Sequence, residues 1–191
     1  MNMNILYLGN NNSKVVEILA RYGDCVISTS EKLTGNDALV KGADFLVSYG
    51  YRHILKTDIL NQFDKRAINI HISLLPWNRG ADPNLWSFLE DTPKGVTLHF
   101  LDAGVDTGDI ILQEEIFLDE TETLSTSYNK LSELALSLLD RNWAKIRAGE
   151  INPFKQPPGG SFHRLADRKN YEYLLTQGWN TPAKNLTGKA I

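Results

Sequence analysis

The stretch that decides the fold is Ile68-Asn69-Ile70-His71-Ile72-Ser73-Leu74-Leu75-Pro76-Trp77-Asn78-Arg79. Alternation with a period of two puts Ile68, Ile70 and Ile72 on one face of a strand and Asn69, His71 and Ser73 on the other. The apolar face calls for cover by other elements, and the polar face must then meet water, a hydrogen-bond network or a ligand. Pro76 lacks the N–H that a central ladder needs, so Leu74-Leu75-Pro76 ends the strand. Three polar side chains are therefore expected at the C-terminal end of a strand, where open α/β sheets place their sites.

Toward the N-terminus, Ile5 to Leu8 reads as a buried strand and Gly9-Asn10-Asn11-Asn12-Ser13 as a turn rich in helix-capping residues. Val15, Val16, Leu19 and Tyr22 recur at helical spacing, which starts a helix near Ser13. Strand, small polar turn and helix open a Rossmann-like unit, in which N–H groups at the helix start can hold an anion. No G-x-G-x-x-G is present, so the turn is not a dinucleotide fingerprint. Further strands are expected at Cys25 to Ser28 and Asp44 to Ser48, followed by the glycine loop Tyr49 to Leu55 and a short helix from Thr57 to Phe63.

Toward the C-terminus, Pro83 to Glu90 has Pro near a helix start and Leu85, Phe88 and Leu89 on one face. Val96, Leu98 and Phe100 alternate as a strand; His99 on it has no polar companion at useful spacing and reads as a structural or half-buried histidine. Asp102 to Asp109 is a second glycine loop leading into a strand from Ile110 to Leu118. Leu124, Tyr128, Leu131, Ala135, Leu138, Leu139, Trp143 and Ile146 mark the core stripe of a long helix that Gly149 ends. Gln156-Pro157-Pro158-Gly159-Gly160 is the clearest boundary, dividing a domain at residues 1–155 from a tail at 156–191 that packs on the domain or contributes to a dimer.

With 191 residues, 42% of them apolar and 23% charged, the chain can bury one good core. A net charge of −3 and the lack of Lys/Arg-rich runs argue against a nucleic-acid partner. The single Cys25 excludes an internal disulfide and reads as a small buried thiol. No apolar run is long enough for a signal or membrane segment, so a cytoplasmic location without membrane contact is expected. Neither H-E-x-x-H nor G-x-S-x-G occurs, so metal and Ser-nucleophile chemistry are not expected.

The run Asn69-x-His71-x-Ser73-Leu74-Leu75-Pro76-x-x-Arg79-Gly80, followed by Gly104-Val105-Asp106-Thr107-Gly108-Asp109-Ile110-Ile111-x-Gln113, resembles the folate-dependent formyltransferase family. The family includes glycinamide ribonucleotide transformylase, methionyl-tRNA formyltransferase and the nucleotide-sugar N-formyltransferases. The resemblance implies the formyltransferase fold, an α/β Rossmann-like and mostly parallel sheet flanked by helices, with a short C-terminal tail here. It implies 10-formyltetrahydrofolate as co-substrate and Asn69, His71 and Asp106 as the catalytic set, Asp106 being preferred to Asp102 and Asp109 because the family's aspartate precedes x-Gly. Folate contacts carry over to Tyr51, His53, Ile54 and Leu55 in the first glycine loop and to Asp102 and Val105 in the second. Gly9 and Asn10 are candidates for substrate phosphate, and Trp77 and Arg79 for a nucleotide base or phosphate, with structural roles as the alternative.

Pro76 to Asn84 looks closer to the sugar branch than to purine synthesis, and the residues after Gly160 are too few for the larger C-terminal domain of the tRNA enzymes. The implied reaction is formyl transfer to a primary amine on a nucleotide-linked amino sugar. Glycinamide ribonucleotide transformylase, a formyltetrahydrofolate hydrolase using the same three residues, and a non-catalytic folate or nucleotide binder are the alternatives.

Overall fold

The computed structural model describes residues 2–119 and 121–190; Met1, Glu120 and Ile191 are not among them. The chain runs β1 (Asn4–Gly9), α1 (Ser13–Ala20), β2 (Cys25–Thr29), α2 (Ala38–Lys41), β3 (Phe45–Tyr49), α3 (Thr57–Leu60), β4 (Ala67–His71), β5 (Arg79–Gly80), α4 (Pro83–Leu89), β6 (Gly95–Phe100), β7 (Ile110–Glu115), α5 (Leu124–Ala148) and β8 (Phe162–His163). Short 3-10 turns follow between Leu165 and Asn185.

The main sheet has the order β2-β1-β3-β4-β6-β7. The first four of these strands are parallel; β6 pairs antiparallel with β4, and β7 pairs antiparallel with β6. Parallel strands buried on both faces read as apolar runs, which is how β1 and β3 are written. One face, with Ile5, Tyr7, Phe45, Val47, Ile68 and Ile70, packs against Val15 and Leu19 of α1 and the Leu131-to-Ile146 stripe of α5. The other, with Leu6, Leu8, Leu46 and Ala67, packs against Val40 of α2 and Ile59 and Phe63 around α3. At Trp143 the two layers lock together: its ring meets Phe45 edge-on with 5.2 Å between centroids. Its buried Nε1–H donates to the Leu19 carbonyl at 3.2 Å.

Capping chemistry sets the helix ends. Asn12 accepts from the N–H groups of Lys14 and Val15 at the start of α1. Thr123 and Thr126 form a reciprocal box at the start of α5, and Gly149 ends that helix in the left-handed conformation.

Residues 156–190 lie along the rest of the molecule through β8 and the 3-10 turns. Arg79 and Gly80 of β5 pair with Phe162 and His163 of β8. Ala183 and Leu186 close a second apolar cluster with Leu85, Trp86, Phe88 and Leu89 of α4. Gly188 N–H and Ala190 N–H donate to the Phe88 and Leu89 carbonyls, satisfying the open end of that helix.

Three sequence expectations are corrected. Cys25 is exposed, because β2 is the outermost strand of the sheet and, among the described residues, pairs with β1 on one side only. Tyr128 is 46% exposed: Ser127 takes the inward position at that turn of α5 and bonds Asn84, which leaves Tyr128 on the helix margin. The strand expected to run to Leu118 ends at Glu115, since Phe117 turns outward (91% exposed) and Leu118 joins the second apolar cluster.

Candidate active site

Parallel pairing brings the C-terminal ends of β1, β3 and β4 to one edge of the sheet, so the loops after Gly9, Tyr49 and His71 share that edge. Gly9 is required by close packing there: a Cβ would stand 2.1 Å from the Tyr49 carbonyl oxygen. Antiparallel β6 completes the polar side of β4, with Asn69 opposite His99 and His71 opposite Thr97. Thr97 Oγ1 donates to the Ser73 carbonyl at 2.7 Å and accepts from Leu75 N–H at 3.1 Å. Gln113 Nε2 donates to the Leu75 carbonyl at 2.7 Å. These bonds fix the chain as it leaves β4.

Asn69, His71 and Asp106, spread over 37 positions, meet at this end. Asn69 Nδ2 donates to Asp106 Oδ1 at 3.1 Å. His71 Nδ1 lies 3.6 Å from Asp106 Oδ2, and Gly80 N–H donates to that same oxygen at 2.8 Å. Asp106 has φ +53°, a left-handed conformation that aspartate tolerates better than most residues and that folds its carboxylate back over β4. Burial alone would raise the Asp106 pKa; the charge of His71, the bond and charge of His99 and the Gly80 N–H outweigh it and hold the carboxyl well below its ordinary range. Asp106 is therefore ionised throughout the neutral range. Asp102 and Asp109 are exposed, and Asp102 Oδ1 accepts from Gly104 N–H and Thr107 Oγ1 within its own loop.

His99, read from the sequence as a structural or half-buried residue without polar company, is 1% exposed and sits inside this cluster. Its Nδ1 faces the Phe100 carbonyl at 2.8 Å and therefore carries a proton, while Nε2 lies 3.2 Å from Asn69 Nδ2 and 3.4 Å from Asp106 Oδ1. The signal was the pairing of two strands across 30 positions, which residue spacing along one strand does not contain. Two further groups missed by the sequence reading are Asn78, whose carbonyl oxygen is 2.9 Å from His71 Nε2, and Gln156, which donates to the Asp106 carbonyl at 2.7 Å.

The other candidates are distributed around the same edge. Ile54 is 74% exposed in the loop after β3, Leu55 is half-buried against the α2–α3 layer, and His53 is exposed with its ring against Tyr51. Tyr51 is half-buried, and its hydroxyl donates to the Glu31 carbonyl at 2.6 Å, tying the loop down. Val105 is half-buried beside Asp106. Asn10 is exposed and borders an open cleft of about 500 Å³ together with Lys14, Asn129, Ser132 and Glu133. Trp77 is exposed, and Arg79 is half-buried with Nε donating to the Ser161 carbonyl at 3.4 Å.

Residues 16–142 match the family model Formyl_trans_N, described as "Formyl transferase". The chain belongs to this formyltransferase family. The chain is similar over 98% of its length to the whole of the crystallised formyltransferase PseJ from Anoxybacillus kamchatkensis, at 49% identity and a TM-score of 0.96. That protein was crystallised with UDP-4,6-dideoxy-4-formamido-L-AltNAc and tetrahydrofolate. A 4-N formyltransferase from Francisella tularensis shares the fold at 24% identity and a TM-score of 0.77, with 88% of this chain and 78% of that one covered. Among curated relatives, methionyl-tRNA formyltransferase from Listeria welshimeri is 33% identical over 164 residues, which is 85% of this chain and 52% of that one. The chain thus spans about half the length of the curated relatives it matches.

Proposed function

We propose that this chain moves a formyl group from 10-formyltetrahydrofolate to the primary amine of a nucleotide-linked amino sugar. The observation that carries the reading is the convergence of Asn69, His71 and ionised Asp106 in a fold that aligns end to end with a formyltransferase crystallised with a UDP-linked formamido sugar and tetrahydrofolate.

The co-substrate supplies the formyl carbon, held on its N10 nitrogen, for the amine to attack. The surface at the sheet edge suits a flat, partly apolar molecule: Ile54 presents an unpartnered apolar side chain, and a Cβ at Gly50 would meet nothing within 4 Å. Tyr51, His53, Ile54, Leu55, Asp102 and Val105 are the residues assigned to it. Gly9, Asn10, Trp77 and Arg79 are assigned to the nucleotide side of the acceptor; of these, Gly9 and Asn10 lie just before the N-terminus of α1, where N–H groups favour phosphate.

As the amine attacks, the formyl oxygen gains negative charge and the nitrogen must lose a proton. His71 Nε2 carries a proton because its partner, the Asn78 carbonyl, only accepts; Nδ1 is thus the atom free to exchange a proton, beside the Asp106 carboxylate. Asp106 stabilises the imidazolium that forms and holds the ring. Both N–H groups of Asn69 point at acceptors, Asp106 Oδ1 and His99 Nε2. Donating the N–H that faces His99 to the formyl oxygen exchanges a neutral acceptor for one that is gaining negative charge. The proton taken from the amine is returned to the departing folate nitrogen.

The test is to incubate the protein with 10-formyltetrahydrofolate and a panel of uridine- and thymidine-linked amino sugars beside glycinamide ribonucleotide, following products by mass. The expected result is a gain of one formyl group on an amino sugar, lost in His71→Ala. Formate released with no formylated amine overturns the reading in favour of a hydrolase.

A further inference from the structure

His71 and Asp106 are each held in place by a loop, and both loops are gripped from outside by one short stretch, residues 156–161. On the Asp106 side, Gln156 Nε2 donates to the carbonyl oxygens of Asp106 at 2.7 Å and Gly108 at 2.9 Å. Both partners are obligate acceptors, so the amide nitrogen, and not its oxygen, faces them. This pair of hydrogen bonds pins the backbone from the left-handed Asp106 to Gly108, where an unsupported loop would relax most readily.

On the His71 side the grip works through Asn78, which is fully buried and also left-handed, at φ +56°. Its N–H donates to Ser161 Oγ at 3.0 Å, and its Nδ2 donates to Glu90 Oε2 at 3.2 Å. Ser161 Oγ–H donates to the same Glu90 oxygen at 2.6 Å, and Thr92 Oγ1 donates to Asn78 Oδ1 at 2.8 Å. Ser161 also brackets Asn78 through the backbone: its N–H donates to the Pro76 carbonyl at 3.2 Å, and its own carbonyl accepts from Arg79 N–H at 3.0 Å. The Asn78 carbonyl, thus immobilised, is what places the proton of neutral His71 on Nε2 and leaves Nδ1 for chemistry.

We propose that Gln156 and Ser161 are positioning residues for formyl transfer, Gln156 acting through the Asp106 loop and Ser161 through Asn78 on the tautomer and ring plane of His71. Gly160 between them lets the strap lie flat, since a Cβ there would stand 2.0 Å from the Pro76 carbonyl oxygen. What reads in the sequence as a boundary is in space a brace for the two groups that handle the proton.

The kinetic part of the test rests on the transfer reading above; the spectroscopic part does not. In ¹⁵N-histidine-labelled protein at alkaline pH, wild-type His71, assigned by its absence in His71→Asn, should show a single Nε2–H tautomer. Ser161→Ala should give a mixture of tautomers, and Ser161→Thr, which keeps a hydroxyl, should restore the wild-type signal. With 10-formyltetrahydrofolate and the acceptor found in the panel, Ser161→Ala and Gln156→Glu should each lower kcat about tenfold, the scale of one lost hydrogen bond, with KM for folate changed less than twofold. The idea is overturned if the His71 tautomer is unchanged in Ser161→Ala, or if kcat and KM stay at wild-type values in both variants. It is equally overturned if kcat falls only in step with the folded fraction measured by circular dichroism.

Discussion

Asn69 and His99 face each other across the β4–β6 ladder, with Asn69 Nδ2 3.2 Å from His99 Nε2. Because Nδ1 of His99 is committed to the Phe100 carbonyl, its Nε2 is an acceptor that aims the Asn69 amide at Asp106 and the open edge of the site. Replacing His99 by Phe keeps the ring volume and removes that acceptor. The expected result is a fall in kcat of about 10- to 100-fold, the scale of a hydrogen bond to a polar network beside a charge. Steady-state kinetics with a parallel thermal melt checks it.

Asp106→Asn should be more damaging. The amide cannot stabilise an imidazolium, and the proton-transfer contribution at risk is about 10²- to 10⁴-fold in rate. A loss of at least about 10²-fold in kcat is expected, with folate affinity measured by tryptophan fluorescence largely retained.

The same carboxylate makes stability depend on acid. The folded-state pKa of Asp106 is depressed below the unfolded value of about 3.9. Its contribution to stability is therefore complete above that value and is lost as pH falls below it toward the folded pKa. Urea titrations at mildly acidic and strongly acidic pH should show wild type losing more stability on acidification than Asp106→Asn. An equal loss in the two proteins would mean that Asp106 carries no such linkage.

Trp143 holds α5, α1 and the sheet together, with its ring on Phe45 and its N–H on the Leu19 carbonyl. Truncation to Ala removes the ring, leaves the Leu19 carbonyl unpaired and opens a cavity. A loss of about 3–5 kcal/mol is expected for such a change. Denaturant unfolding monitored by circular dichroism measures it.

Exposure of Cys25 on the outermost strand predicts a thiol that reacts without unfolding. Addition of Ellman's reagent to the native protein should release one equivalent of chromophore at the rate of an accessible thiol, and Cys25→Ser should release none.

Periodicity along the chain was enough for most elements, because each side chain's face follows from its own strand or helix. Ile68, Ile70 and the polar residues between them read directly as a strand with one covered face, and the α5 stripe from Leu131 to Ile146 read directly as core. Where the reading missed, the deciding partner was distant in sequence. Cys25 looked buried because its neighbours Val26 and Ile27 are apolar, but the strand order leaves β2 with one neighbour only. His99 looked isolated because its companions, Asn69 and Asp106, come from another strand and another loop.

Residue order along the chain carries the alternation that makes β4, the proline that ends it, and the presence of Asn69, His71 and Asp106 in a spacing that resembles one enzyme family. These are properties of local backbone chemistry and of residue type, and they need no neighbour to be stated. Packing in three dimensions sets which nitrogen of His71 is free, why Asp106 stays ionised, and that Gln156 and Ser161 reach back over the site. Each of those depends on distances between groups far apart along the chain, set when the strands take their order in the sheet and the C-terminal segment closes over the loops that follow β4.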